Sequence, residues 1–95
     1  MFRIIWEYKV KPKAIAKFEQ MYGPKGEWVK LFSQSKHFQG TELMETKDGD
    51  FNFVTMDFWE SEDAYNDFMK AKKKQYDELD KKATAFTKDE KRVWV

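Results

Sequence analysis

The chain has 95 residues, no cysteine and a formal net charge of +1. Its length predicts one domain, residues 1–95, with a single core, and its near-neutral charge gives no global field for nucleic acid or an anionic membrane. Without cysteine there are no disulfides, thiol nucleophiles or Cys-based metal sites, and no apolar run approaches the ~20 residues of a membrane span. We therefore expect a soluble, cytoplasmic protein.

The first residues alternate between apolar and charged side chains, which predicts a strand with one wet face. Pro12 ends this strand, and helical spacing of apolar residues follows as far as Tyr22, before the break at Gly23-Pro24. A second short helix is predicted in "GEWVKLFSQ". The strand residues expected on the apolar face are Phe2, Ile4, Trp6, Tyr8 and Val10.

The middle of the chain contains a predicted hairpin. Two extended runs flank "KDGD", residues 47–50, and Asp-Gly is a strong hairpin turn signal. Strands two and three should therefore be antiparallel neighbours.

The last third predicts one long helix and a final strand. Ser61 can cap a helix that runs to about Lys82. Residues 87–90, "TKDE", have the spacing of a capping box and predict one brief turn before the last strand, "RVWV".

This order of elements predicts an α+β sandwich of ferredoxin-like topology, a four-stranded antiparallel sheet with helices on one face. In strand three, Phe53, Thr55, Asp57 and Trp59 alternate with Asn52, Val54, Met56 and Phe58, and neither side is plainly polar. Because a chain this short can cover only one face with helices, we expect the other face to pack on a second copy in a homodimer.

With the elements placed, "WESEDAYNDF" resembles the strand-to-helix junction of the antibiotic biosynthesis monooxygenase family. The resemblance implies a dimeric α+β barrel and, as a function, cofactor-independent oxygenation of a small aromatic such as a polyketide or quinol. Its Asn, Trp and Tyr pattern falls on Thr55, Trp59 and Tyr65, with Thr in place of Asn. Relatives that degrade haem are a poorer match, because the last long helix has no His.

The resemblance gives each candidate residue a role. Trp59 and Tyr65 would orient the ring, Asp57 or Tyr65 would accept the proton, and Thr55 would hold a developing oxyanion. The expected substrate-binding residues are Trp6, Tyr8, Trp28, Phe32 and Phe68, and neither a cofactor nor a metal is expected.

Structural interpretations compete with these roles. Trp59 and Tyr65 also fit ordinary junction packing, and Asp57 fits a salt bridge as well as a desolvated general base. His37, the single histidine, fits a surface loop or a proton shuttle at the pocket mouth. The rival function is a non-catalytic dimeric barrel that binds a hydrophobic metabolite or serves as a structural module.

Overall fold

The computed structural model describes residues 1–47 and 51–94, and the strands of this part form one antiparallel sheet. The spatial order of the strands is β2-β3-β1-β4. This order and the position of the helices confirm the predicted ferredoxin-like sandwich. The strands are β1 (Phe2–Val10), β2 (Phe38–Glu45), β3 (Phe53–Trp59) and β4 (Thr87–Val93).

Four α-helices are present in the described part of the chain. Proline begins a short 3₁₀ turn, Pro12–Ala14, directly before the first of them. Ser61 caps the third, and its side-chain oxygen accepts a hydrogen bond from the Ala64 N–H at 3.1 Å, as the sequence predicts. The helices are α1 (Ile15–Tyr22), α2 (Glu27–Phe32), α3 (Glu62–Ala71) and α4 (Lys73–Ala83).

The strand register places alternating residues of β1 and β3 on the helix-covered face. Ile4 lies opposite Asp57, Trp6 opposite Thr55, and Tyr8 opposite Phe53. The buried side chains of these strands fall on this set of positions. The sheet therefore presents a hydroxyl and a carboxylate to the helices among aromatic rings.

A continuous cluster of aromatic rings forms the core between the sheet and the helices. Phe32 joins its two ends, since its ring lies 5.6 Å from both Trp28 and Trp59 between centroids. Trp59, Phe18 and Phe53 are the largest fully buried side chains.

The predicted single long helix is wrong. The helix is interrupted at Lys72, whose φ of −118° and ψ of 21° are not helical. The two halves pack against different rings, because Phe68 lies 5.1 Å from Trp59 and Tyr76 lies 5.0 Å from Trp28. The break at Lys72 lets both contacts form.

The prediction for the chain's end is also wrong in detail. Residues 87–90 are extended and pair with β1, from Val10 opposite Thr87 to Tyr8 opposite Glu90, so the "TKDE" segment caps no helix. The brief turn comes earlier, at Thr84–Phe86. β4 is an edge strand, and its Lys, Asp and Glu side chains are typical of protected edges.

β2 and β3 are antiparallel neighbours, as the predicted hairpin requires. Residues 48–50 of the expected turn lie outside the described residues.

In residues 1–47 and 51–94, none of the helices has the length and apolarity needed to cross a bilayer.

Candidate active site

A cavity of about 100 Å³ lies between the sheet and the helices. Every strand and three of the helices contribute to its wall. The lining consists of Trp6 and Tyr8 from β1, Tyr22 from α1, Trp28 and Phe32 from α2, Thr41 from β2, Thr55 and Asp57 from β3, Tyr76 and Asp80 from α4, and Glu90 from β4.

The strand register explains why polar groups of separate strands meet in this cavity. Thr41 lies opposite Asp57 across the β2–β3 pair, and Thr55 lies opposite Trp6 across the β1–β3 pair. Alternation then puts Thr55 and Asp57 on the same face of β3, two positions apart. The sheet is the rigid support of the site.

Asp57 is a carboxylate at the sheet side of the cavity. The Thr41 hydroxyl donates a hydrogen bond of 2.6 Å to Asp57 Oδ1. Burial raises the pKa of Asp57 to about 6, and this hydrogen bond offsets only part of the shift. At neutral pH Asp57 is therefore a carboxylate that accepts a proton more readily than an ordinary Asp.

Aromatic side chains form most of the remaining wall. Tyr8 and Tyr22 lie 5.0 Å apart between ring centroids, and Trp28 and Tyr76 lie at the same separation. Burial raises the pKa of Tyr8, Tyr22 and Tyr76 above the ordinary tyrosine value. Their hydroxyls are therefore protonated at neutral pH and available as hydrogen-bond donors.

The structure brings most of the predicted site residues together. Thr55 and Asp57 line the cavity, as do four of the predicted substrate-binding residues. Thr55 is 3% exposed, so its hydroxyl belongs to the interior of the fold. The four are Trp6, Tyr8, Trp28 and Phe32.

Trp59, Tyr65 and Phe68 lie in the aromatic core beside the site but outside the cavity lining. Trp59 is 0% exposed, and its ring lies 5.6 Å from Tyr65 and 5.1 Å from Phe68. Trp59 lies on the helix-covered face of β3, but Phe32 lies between its ring and the cavity. The sequence pattern therefore predicted the correct face of β3 for Trp59 but did not predict that Trp59 lies behind the cavity wall.

Sequence reasoning did not assign Thr41, Tyr76, Asp80 or Glu90 to the site. Tyr76 and Asp80 are four residues apart on α4, so the helical period was the available signal for placing them on one side. Thr41 and Glu90 depend on strand register, which the chain does not show locally.

His37 lies elsewhere. Its Nδ1 is 2.6 Å from Glu60 Oε2 in an exposed pair outside the cavity lining, which fits the surface interpretation. Within residues 1–47 and 51–94, no three His, Asp or Glu side chains converge as a metal site would require.

The chain is a small α+β protein with a ferredoxin-like sheet and an aromatic cavity, containing a carboxylate of raised pKa, between the sheet and its helices. Residues 1–75 match the family model described as antibiotic biosynthesis monooxygenase, and the chain belongs to that family. No curated protein matches the sequence.

Solved structures share the fold at low identity. SnoaB from Streptomyces nogalater, a cofactor-independent oxygenase, superposes in a mutant form with a TM-score of 0.74 at 16% identity, over 98% of this chain and 90% of that one. A structure described as an antibiotic biosynthesis monooxygenase gives 0.70 at 20% identity, over 98% and 94%. A conserved protein from Methanosarcina mazei Go1 gives 0.65 at 9% identity, over 96% and 88%.

Proposed function

We propose that the protein is a cofactor-independent monooxygenase that acts on a small, electron-rich phenol or quinol. The family supports the reaction type, and the observation that carries the proposal is the position of Asp57, a carboxylate of raised pKa in the wall of an aromatic cavity. The substrate ring would stack among Trp6, Trp28 and Tyr76.

Asp57 begins the reaction by accepting the phenolic proton. The resulting phenolate is the reductant of dioxygen: one oxygen atom enters the ring carbon and the other leaves as water, so that a phenol becomes a quinone. The tyrosine hydroxyls donate hydrogen bonds to the developing oxygen anion. Thr55 contributes a further hydroxyl in the same wall.

Trp59, Tyr65 and Phe68 act on this reaction indirectly. Trp59 and Phe68 pack on Phe32 at 5.6 Å between centroids. Tyr65 packs on Trp59 at 5.6 Å, so the three side chains support that wall of the cavity. In this proposal they support the cavity wall, and only the lining residues contact the substrate.

A homodimer is the proposed assembly. The sheet face away from the helices carries Ile5, Val54, Met56 and Phe58, and each is only partly buried in the single chain. A second copy packed on this face would cover apolar area that the chain's own helices do not reach.

Oxygen consumption tests the activity. With a panel of one-ring catechols and substituted quinols, the wild type should consume one dioxygen per substrate, and Asp57→Asn should lose about 10²-fold or more of the rate. Thr41→Val removes the hydrogen bond to Asp57 but leaves the base, so it should keep turnover, with the pH profile shifted to higher pH. No uptake above the uncatalysed rate with any substrate would refute the proposal and favour a non-catalytic metabolite-binding protein.

A further inference from the structure

The charged side chains of the cavity wall are all acidic. Asp57, Asp80 and Glu90 all line the cavity, and the lining contains no Lys, Arg or His. The three carboxylates come from β3, α4 and β4, so they approach the cavity from different directions. For a chain with a net charge of only +1, this is a strong local asymmetry.

These carboxylates act on the same small volume. Burial raises the pKa of Tyr22 and of Tyr76, and the charges of Asp57, Asp80 and Glu90 each raise it further. Burial, and then the charges of Asp80 and Asp89, raise the pKa of Glu90. Three carboxylates and no basic residue in the described lining give the cavity a negative potential.

No basic side chain in the described part of the chain lines the cavity. In the described residues, the ion pairs join other partners, and none includes Asp57, Asp80 or Glu90. Arg92 lies opposite Trp6 in the β1–β4 register, and its Nε is buried without a hydrogen-bond partner among the described residues. Its guanidinium carbon, however, lies 3.9 Å from the centre of the Trp94 ring, and Arg92 is outside the cavity lining. A cationic ligand would supply the positive charge that the lining lacks.

The aromatic walls favour a particular kind of cation. Faces of Trp and Tyr attract alkyl ammonium groups and do so best in a desolvated site. The carboxylates do not converge as metal ligands, which favours a diffuse organic cation over a bare metal ion. The volume of about 100 Å³ is of the same order as that of the ~150 Å³ cavity that accepts benzene, so we expect a ligand with no more than one ring, its chain extending toward the cavity mouth.

We infer that the cavity binds a small organic cation, an alkyl ammonium carried on a skeleton of no more than one ring. This inference goes beyond the proposed function, because it concerns the charge of the ligand and holds whether or not oxygen is consumed. The ammonium group lies among the carboxylates, and the carbon skeleton packs on the rings.

Three probes of nearly equal size and shape test the sign of the charge. Tyramine is a cation, 4-ethylphenol is neutral and 4-hydroxyphenylacetate is an anion at pH 7.5. Calorimetric titration should give tyramine an affinity about tenfold or more above that of 4-ethylphenol, with the anion weakest. The four Trp indole N–H signals in proton–nitrogen NMR report the location, and Trp6 and Trp28 should shift while Trp94 does not.

A pair of charge-matched variants locates the effect. Glu90→Gln removes a carboxylate of the lining. Asp89→Asn removes the neighbouring charge, which lies opposite Lys9 in the strand register and on the other sheet face. The Asn oxygen can still accept the Glu90 N–H that Asp89 Oδ1 accepts at 2.9 Å. Glu90→Gln should weaken tyramine about three- to tenfold and leave 4-ethylphenol within twofold, whereas Asp89→Asn should change neither.

Equal affinities for the three probes, preference for the anion, no binding by any of them, or an equal effect of the two variants would each overturn the inference. Oxygen uptake separates it from the proposed function. Tyramine binding without any turnover defeats the monooxygenase and leaves the cation site, and turnover of phenols irrespective of charge does the reverse.

Discussion

At the residue scale, Asp57 shows that the catalytic candidate is also a weak point of the fold. Its pKa of about 6 lies above the ordinary Asp value of 3.8 because burial penalises the carboxylate. Between these pH values the folded protein binds more protons than the unfolded chain. The contribution of Asp57 to the free energy of unfolding is therefore fully present below about pH 4 and is lost as the pH rises through about 6.

Asp57→Asn removes that penalty, and its amide oxygen can still accept the Thr41 hydroxyl. At pH 8 the variant should be more stable than the wild type by on the order of 3 kcal/mol, and near pH 4 the difference should vanish. Chemical denaturation at several pH values measures this. A variant less stable than the wild type at pH 8 would mean that the Asp57 carboxylate is stabilised by the fold.

Turnover should depend on the ionisation of Asp57 in the opposite direction to stability. A general base must be deprotonated to work, so the rate should rise with pH and level off above an apparent pKa near 6, the value that burial gives Asp57. Initial rates of oxygen uptake between pH 4.5 and 8 measure the profile. A rate that is flat across this range would remove Asp57 from the role.

Trp59 is the counterpart, a residue expected to matter for stability more than for turnover. It is 0% exposed, and its Nε1 has no hydrogen-bond partner among the described residues. Trp59→Phe should cost about 1–3 kcal/mol, since the smaller ring leaves part of the space empty and the lost N–H returns some of that cost.

Turnover by Trp59→Phe, measured well below its melting temperature, should stay within a few-fold of the wild type. Asp57→Asn should show the converse, a stable protein with little activity. A Trp59→Phe variant that keeps its stability and loses turnover would restore Trp59 to a direct catalytic role.

At the element scale, the turn between α1 and α2 positions two walls of the cavity. A Cβ atom at Gly26 would lie 2.2 Å from the Met21 carbonyl oxygen and 2.5 Å from that of Gln20. These neighbours are backbone atoms, so the clash can be relieved only by moving the end of α1. Tyr22 and Trp28, on either side of this turn, would move with it.

Gly26→Ala should therefore destabilise the protein by about 1–3 kcal/mol and weaken ligand binding in the cavity. Lys25→Ala, an exposed change in the same turn, is the control and should alter neither property. Thermal melts and the calorimetric titration measure both effects. Equal behaviour of the two variants would show that the turn does not position Tyr22 and Trp28.

Elements were predictable where the pattern is local, and the site was not where it depends on pairing between distant segments. Alternation placed Trp6 and Tyr8 on the covered face of β1. The entry of Glu90 into the cavity follows from its register with Tyr8, while its own neighbourhood, "TKDE", reads as a helix cap. The break at Lys72 was likewise not predictable, because the sequence around it contains no Pro or Gly.

At the scale of the whole molecule, the two faces of the sheet differ in what covers them. The helix-covered face holds the cavity, and the other face carries a central apolar strip formed by Ile5, Val54, Met56 and Phe58. Charged residues of β1 and β4 border this strip, as in the Glu7–Lys91 pair at 4.0 Å. An apolar centre with a charged rim is the usual anatomy of a protein interface.

Met56→Lys places a charge in the middle of the strip and should convert the dimer into a monomer, because a buried, unpaired ammonium costs several kcal/mol at an interface. Sedimentation velocity at several protein concentrations measures the change. Gln75→Lys, on the exposed surface of α4, adds the same charge away from the sheet and should remain dimeric. A wild type that stays monomeric at high concentration, with a melting temperature independent of concentration, would contradict the proposed assembly.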